Sequence, residues 1–454
     1  MDEELRRHIE ERFNHHLEQL SNLIRHPSVS ATGLGVNECA EYLSSMMESL
    51  GINCRVYQGK HHPIIVGSVN VEEGQPCLLV YDHYDVQPPD PLEEWSMDPF
   101  SGRIDEERVY GRGASDSKAN LLSYLFGVCA LRDLGRLSIG VKFLFEGEEE
   151  IGSPHLEGFA VSHKDELAAD AVVCCDGELD ASGRPTVTLG MKGLLYVELR
   201  CRATSRDAHS SMAPILPSAP WRLVCALKTL RGGDGEILIP GWREGLVEPG
   251  RRELDMIAKI PWDEGKVREE YGVSAFLRGL SGPALLKQLL YEPTCNIAGL
   301  SSGYEGEGSK TVLPSTAMAK LDFRLVYDQD PNRCLSLLRR HLDEHGFADV
   351  EIRQLGMLEP SHTDPDAPIA RACREAAVDA YGCEAVVYPK NPASGPDYVF
   401  TKRLGLDSVW TGCAPAFGGA HSPNEFIGIE DFRRGIVYAS RVVELFSTQV
   451  SGGR

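Results

Sequence analysis

The run VKFLFEGEEEIGS, residues 141–153, joins a short apolar stretch to a cluster of acids flanked by glycines. An apolar run of that length fits a strand buried on both faces, the kind a parallel sheet uses. Two other stretches repeat the pattern: CLLVYDHYDVQP (77–88) and AVVCCDGE (171–178). In each, the apolar run gives way to a potential metal donor: Glu150, His83 or Asp176. Strand ends are where open α/β sheets place their ligand sites.

Outward from these strands, Leu5, Ile9, Phe13, Leu17, Leu20 and Ile24 recur at helical spacing and predict a helix over 3–25. A second helix is expected over 37–50, closed by Gly51. Strands are expected over 53–58, 63–70 and 77–82, and a helix over 119–134. This alternation predicts a mainly parallel sheet with helices on both faces. Near residue 190 the pattern changes. LLYVELRCRA (194–203) and KLDFRLVY (320–327) alternate apolar and polar residues, as half-exposed antiparallel strands do. A helix over 331–345 and a strand over 348–354 complete a second, α+β unit. After about residue 356 the α/β character returns, with a helix over 367–381, strands near 384–388 and 406–411, a helix over 430–447 and a frayed tail at SGGR. The expected organisation is an α/β domain split over 1–189 and 357–454, with an α+β insertion at 190–356.

Composition narrows the function. In a chain of 454 residues, 42% hydrophobic and 25% charged content suits a globular enzyme. A formal net charge of −21 argues against a nucleic-acid partner, because phosphates would be repelled. No stretch approaches the roughly 20 apolar residues of a membrane span. The N-terminus, MDEELRRHIEERF, lacks the basic-then-apolar pattern of an export signal. The 13 cysteines show no CxxC pairing, which fits reduced thiols in a cytoplasm. Cys174 and Cys175 read as small core residues within AVVCC rather than as metal ligands.

The chemistry-bearing residues lie in five short segments. His83 sits just past a strand, and Asp85 is close enough to accept its other ring N–H. GRGASDSK (111–118) lacks the P-loop spacing, so its glycines read as a tight turn presenting Asp116. A carboxylate has two oxygens and can bridge two cations. Glu146, Glu148, Glu149 and Glu150 crowd one strand end, where neighbouring glutamates can divide metal binding from proton transfer. Asp176, with Glu178 as a substitute, follows AVVCC, and His421 lies on the glycine-rich loop GGAHSPNE (418–425). Taken one by one, these signals are weak: HxD alone is usually a structural histidine, and an isolated acidic triplet a solvated turn. His15, His16, His61, His62, His155, His163, His341, His345 and His362 lack a supporting motif and read as surface or structural.

Together and in this order, the segments resemble the M20 metallopeptidase family of di-metal aminopeptidases, dipeptidases, carboxypeptidases and deacylases. YDHYDVQP is similar to that family's HxDVxP segment, GRGASDSK to GRGxxDxK, EEEIGS to EExGS, and GGAHSPNE to its C-terminal histidine loop. The resemblance implies two divalent cations per chain, zinc first, with manganese or cobalt as alternatives. One would be held by His83 and Asp176 and the other by Glu150 and His421, with Asp116 bridging. Glu149 would be the general base for a metal-bridged hydroxide, and Asp85 would orient His83. The insertion would be the family's lid and dimerisation domain, which implies a homodimer. DAHSS (207–211) matches a lid motif whose histidine, here His209, reaches the substrate or the developing oxyanion. SKTVLPSTAMAKLDFR (309–324) resembles the cytosolic dipeptidase branch, whose pattern gives Thr311 and Arg324 the substrate's carboxylate. The sequence departs from the pattern at Asp82, where the family usually has Gly, and at Ala119. ASGPDY (393–398) is a loose match to the substrate loop, where Ser394 and Gly395 would lie.

The expected activity is cleavage of dipeptides or short peptides. The alternatives are an N-acyl-amino-acid deacylase or carboxypeptidase on the same scaffold, and an inert homologue acting as a binding protein. A glycosidase using Glu148 and Glu149 would have no use for the two histidines.

Overall fold

The computed structural model describes residues 3–59 and 62–451. His61 and the tail residues 452–454 lie outside it. Two compact units emerge. The first spans 1–190, 362–389 and 399–454; the second spans 191–361 and 390–398. The sequence reading ended the insertion at 356, but the strand Glu351–Leu358 runs past that point. The segment 390–398 also joins the second unit, which local pattern does not signal.

The first unit is built on an eight-stranded sheet. Its order is Asn53–Tyr57, Ile64–Val69, Gly140–Glu146, Cys77–His83, Ala171–Cys174, Asp407–Trp410, Thr186–Thr188 and Val386–Tyr388. At its centre, Cys77–His83 runs parallel to both Gly140–Glu146 and Ala171–Cys174. These strands are buried on both faces, which is why they read as continuous apolar runs. The parallel pairing continues to Asp407–Trp410, while the two strands at the Asn53 edge enter antiparallel. Helices Glu3–Ile24, Ala119–Asp133, Pro368–Tyr381 and Ile429–Ser451 belong to this unit, and the last two pack on each other. Leu79, Val80, Phe143, Leu144, Val172 and Val173 are fully buried. Each such side chain contributes roughly 1.5–3 kcal/mol through burial.

Register decides where the chemistry falls. His83 pairs with Glu146, and Tyr81 pairs with Cys174, so His83 is level with Asp176 two residues past that pairing. The ends of three adjacent parallel strands therefore bring His83, the 146–150 acids and Asp176 to one edge of the sheet.

The second unit has a four-stranded antiparallel sheet in the order Asn296–Ser301, Thr316–Leu325, Gly193–Arg202, Glu351–Leu358. The alternation in Thr316–Leu325 turns Ala317, Ala319, Leu321, Phe323 and Leu325 inward. They form one core with Leu195, Val197 and Leu199 and with helices Ala219–Leu230 and Pro331–Glu344. The same period of two puts Arg324 on the opposite face.

Candidate metal centre

All five expected metal donors lie in the first unit, and they form two sets that share one residue. His83, Asp116 and Asp176 make one; Asp116, Glu150 and His421 make the other, with donor atoms within 4.8 Å of one another in each set. Asp116 divides its carboxylate between them. Its Oδ1 is 3.2 Å from His83 Nε2, and its Oδ2 is 3.0 Å from His421 Nε2. Asp176 Oδ2 lies 3.8 Å from His83 Nε2, and Glu150 Oε2 lies 3.2 Å from His421 Nε2.

Three of the donors are braced from behind: His83, Glu150 and, through its turn, Asp116. His83 Nδ1 is 3.0 Å from the backbone carbonyl of Asp85 and 3.4 Å from its carboxylate. That carboxylate instead accepts the N–H groups of Glu149 and Glu150, both at 3.1 Å. Asp85 therefore ties the histidine to the acidic turn as well as orienting the ring. Gln87 Nε2 donates to Glu150 Oε2 at 2.9 Å. Gly113 supports the turn before Asp116: its φ of 87° suits glycine, and a Cβ there would sit 2.6 Å from Val86. His421 has a φ of 60°, uncommon for a residue with a side chain and of the kind that clusters at functional sites.

The acidic cluster sorts into roles. Glu146 accepts from Tyr81 Oη at 2.6 Å and Ser153 Oγ at 2.8 Å. Glu148 accepts from the backbone N–H of His62 and lies 2.6 Å from His155 Nδ1. These two are engaged by the scaffold, while Glu150 faces His421. Burial pushes the Glu149 carboxyl well above its usual range, with His83 opposing and Asp176, Glu150 and Glu146 adding. Burial works against charge on His83, yet Asp116, Asp176 and Asp85 outweigh it and hold the ring well above its ordinary range. Asp116 and Glu150 raise His421 to about 10.

The residues fit a pair of divalent cations. His83 Nε2 is buried and makes no hydrogen bond despite its distance to Asp116, so it is an orphaned donor atom aimed at carboxylate oxygens. The negative charge of Asp176 and Glu150 that adds to the upward push on Glu149 is what a cation relieves. Imidazole and carboxylate donors together suit zinc, manganese or cobalt. Cys174 and Cys175 are buried thiols outside both sets.

The second unit gathers the other expected residues in two pairs. His209 and Val312 are partners in a short antiparallel pairing, and His209 Nε2 lies 3.3 Å from Thr311 Oγ1. The Ser211 N–H donates to His209 Nδ1, so a neutral ring carries its proton on Nε2, the form an oxyanion needs. Arg324 Nη1 donates to Ser394 Oγ at 2.7 Å. Ser394, from the loosely matched loop, is thus in contact with the expected carboxylate-binding arginine.

Sequence reasoning passed over three residues. Glu425 is buried and accepts hydrogen bonds from the loop that carries Asp116. Lys118, also buried, donates to the carbonyls of Leu23 and His26 near the end of the first helix. Gln87 braces Glu150. The signal was present for the first: GRGASDSK contains an arginine, and a buried arginine needs an acid.

An α/β sheet whose parallel strand ends, with two loops, gather two candidate ligand sets suits a metal-dependent hydrolase. The chain matches Peptidase family M20/M25/M40 over residues 79–445, and it belongs to that family. It is 26% identical to the Cys-Gly metallodipeptidase dug1 of Schizosaccharomyces pombe over 97% of each chain. It is 27% identical to the Beta-Ala-His dipeptidase of Rattus norvegicus, over 84% of this chain and 80% of the relative. The solved structure of an M20 family metallo-carboxypeptidase from Sulfolobus solfataricus superposes with a TM-score of 0.90 at 37% identity, covering 99% of this chain and all of the other.

Proposed function

We propose that this peptidase is a di-metal amide hydrolase that cleaves dipeptides or short peptides. The observation that carries the reading is the division of Asp116, whose two oxygens serve two separate donor sets. His83 and Asp176 would hold one cation, Glu150 and His421 the other, with Asp116 shared. A bound pair of divalent cations, zinc first, supplies Lewis-acid polarisation of the scissile carbonyl and lowers the pKa of water. Glu149 takes the proton from the attacking water and returns it to the leaving amine. Its half-buried, acid-crowded setting supports that role. His209 donates from Nε2 to the developing oxyanion. Thr311 and Arg324 hold the substrate's C-terminal carboxylate, with Ser394 fixing the guanidinium. Asp85 orients His83 and the acidic turn.

The direct test is hydrolysis after chelation and metal readdition, over free-amine dipeptides, longer peptides and N-acyl amino acids. Dipeptide turnover restored by zinc, manganese or cobalt is expected. Equal turnover in the chelated and reloaded protein would overturn the di-metal reading. A carboxypeptidase is the second reading, favoured by the 37% identity to the Sulfolobus enzyme. Arg324 suits a free C-terminus in either case, and release of single residues from longer peptides in preference to dipeptides would select the second reading. N-acyl substrates in first place would select the deacylase alternative.

We also propose that the second unit acts as lid and dimerisation domain of a homodimer. Its edge strand Asn296–Ser301 leaves Ile297 50% and Leu300 57% exposed, and Trp221 on a helix of the same unit is 71% exposed. An unpaired edge with apolar side chains is a pairing surface. Sedimentation should give a dimer that Leu300→Asp weakens; a monomer at all concentrations would sink the idea. A cytoplasmic location without nucleic-acid or membrane partners is supported by the net charge of −21 and by free cysteines throughout. Among the described residues no helix is long and apolar enough to cross a membrane. Membrane recovery on cell fractionation would contradict that location.

A further inference from the structure

The reading of Asp116 as a shared ligand requires its carboxylate to be presented in one orientation, with each oxygen facing a different histidine. Asp116 is carried by the loop 111–118, which follows the strand Arg108–Tyr110 and precedes the helix Ala119–Asp133. One buried carboxylate gathers several donors of that loop, beside the turn's own backbone bonds and the Asn120 side chain. Glu425 Oε1 accepts the N–H groups of Ser115 at 2.9 Å and Asp116 at 3.1 Å, with Ser115 Oγ at 3.4 Å. Its Oε2 accepts the N–H of Gly113 at 3.1 Å and Arg112 Nη1 at 2.6 Å. Glu425 is fully buried and Arg112 is 1% exposed.

We propose that Glu425 is a positioning residue that sets the orientation of Asp116 and, through it, the spacing of the two donor sets. Both its oxygens are occupied by the loop, so it acts through Asp116 rather than as a ligand. Successive amides turned toward one carboxylate form the kind of concavity that elsewhere binds anions; here a side chain of the same chain fills it. Glu425 also lies four residues after His421, so one segment carries a donor of the second set and the clamp on the shared donor. A shift of the clamp would move both sides of the bridge. This inference rests on the di-metal reading above.

Glu425→Gln keeps size and shape, but its amide nitrogen cannot accept, so amides on one side of the clamp lose their partner. The measurement is zinc affinity and stoichiometry of the purified protein against a chromophoric chelator, with circular dichroism and a melting curve of the apo form. A weakening of zinc binding by roughly 10–100-fold is expected, the range typical for groups that orient ligands. The apo fold should remain intact, and Glu425→Asp should partly recover affinity. If Glu425→Gln does not fold, Arg112→Met loosens the same oxygen and should weaken zinc in the same direction. Two zinc ions bound at wild-type affinity by whichever variant folds would overturn the proposal, and so would an affinity loss no larger than that caused by an equally destabilising core substitution such as Leu79→Ala. Asp116→Ala separates the two levels. If that variant keeps two zinc ions at wild-type affinity, the reading of Asp116 as the shared ligand fails, and the positioning role with it. If it loses zinc while Glu425→Gln does not, only the positioning role fails.

Discussion

The two units place their candidate functional groups in opposite environments. In the first, the side chains of His83 and Glu150 are 0% and 5% exposed and those of Asp116 and Asp176 18% and 26%, with His421 alone, at 57%, open to solvent. In the second, His209 and Thr311 are exposed and Arg324 is half-buried. Buried ionisable groups are costly unless paired, bonded or metal-bound, and the four buried or half-buried donors are packed against one another in that way. The second set stays solvated, and each of its contacts is worth less. In the proposed reaction the first unit supplies the metal donors and the base, and the second supplies the oxyanion donor and the grip on substrate.

The sharpest way to break that contrast is Glu149→Ala. Removing a general base should lower kcat by roughly 10²–10⁴-fold while metal content stays unchanged. Steady-state kinetics paired with metal analysis checks both halves. Near-full activity would mean that the proton is taken elsewhere.

His209→Ala tests the other side. Loss of an oxyanion donor should cost about 10²–10³-fold in kcat, again with metal content intact. Loss of metal in this variant would place His209 among the ligands and erase the division of labour. Arg324→Met should act mainly on KM. A hydrogen bond to a charged group is worth about 1.5–3 kcal/mol, or roughly 10- to 150-fold. The rise should disappear with a substrate whose C-terminus is amidated, because the arginine then has no carboxylate to hold.

The same contrast governs what could be read from sequence. The strands Cys77–His83, Gly140–Glu146 and Ala171–Cys174 were legible because burial on both faces makes each an unbroken apolar run. Their ends marked His83, Glu150 and Asp176. Helix Pro331–Glu344 was legible from its apolar stripe. The helices between Ala219 and Tyr291 were not assigned, since three of the four are short and none lies beside a chemical motif. The strand Thr186–Thr188 is three residues long, and its antiparallel partner near Trp410 lies more than 200 positions away. Glu425 escaped for a related reason. Its partners are amides about 310 positions earlier, and a backbone N–H leaves no trace in side-chain pattern. Asp85 was legible as a partner of His83, but its grip on the amides of Glu149 and Glu150 depends on the sheet register.

The smallest expected effect is at Ser394. Its hydroxyl accepts from Arg324 Nη1 at 2.7 Å and donates to the carbonyl of Gly193 at 2.9 Å. The serine thus ties the guanidinium to the backbone of its own unit and leaves Arg324's other N–H groups free to meet a carboxylate. Ser394→Ala removes both hydrogen bonds, and the net loss of orientation at Arg324 should be about 0.5–1.5 kcal/mol, so KM should rise roughly 2- to 12-fold with kcat unchanged. Ser394→Thr retains the hydroxyl and should stay near wild type. The substitution should also be nearly silent in an Arg324→Met background, because the serine acts through the arginine. An additive loss in the double variant would show that Ser394 meets the substrate directly. A fall in kcat or in bound metal would instead mean that the solvated set and the buried set are coupled more tightly than their separate hydrogen-bond networks imply.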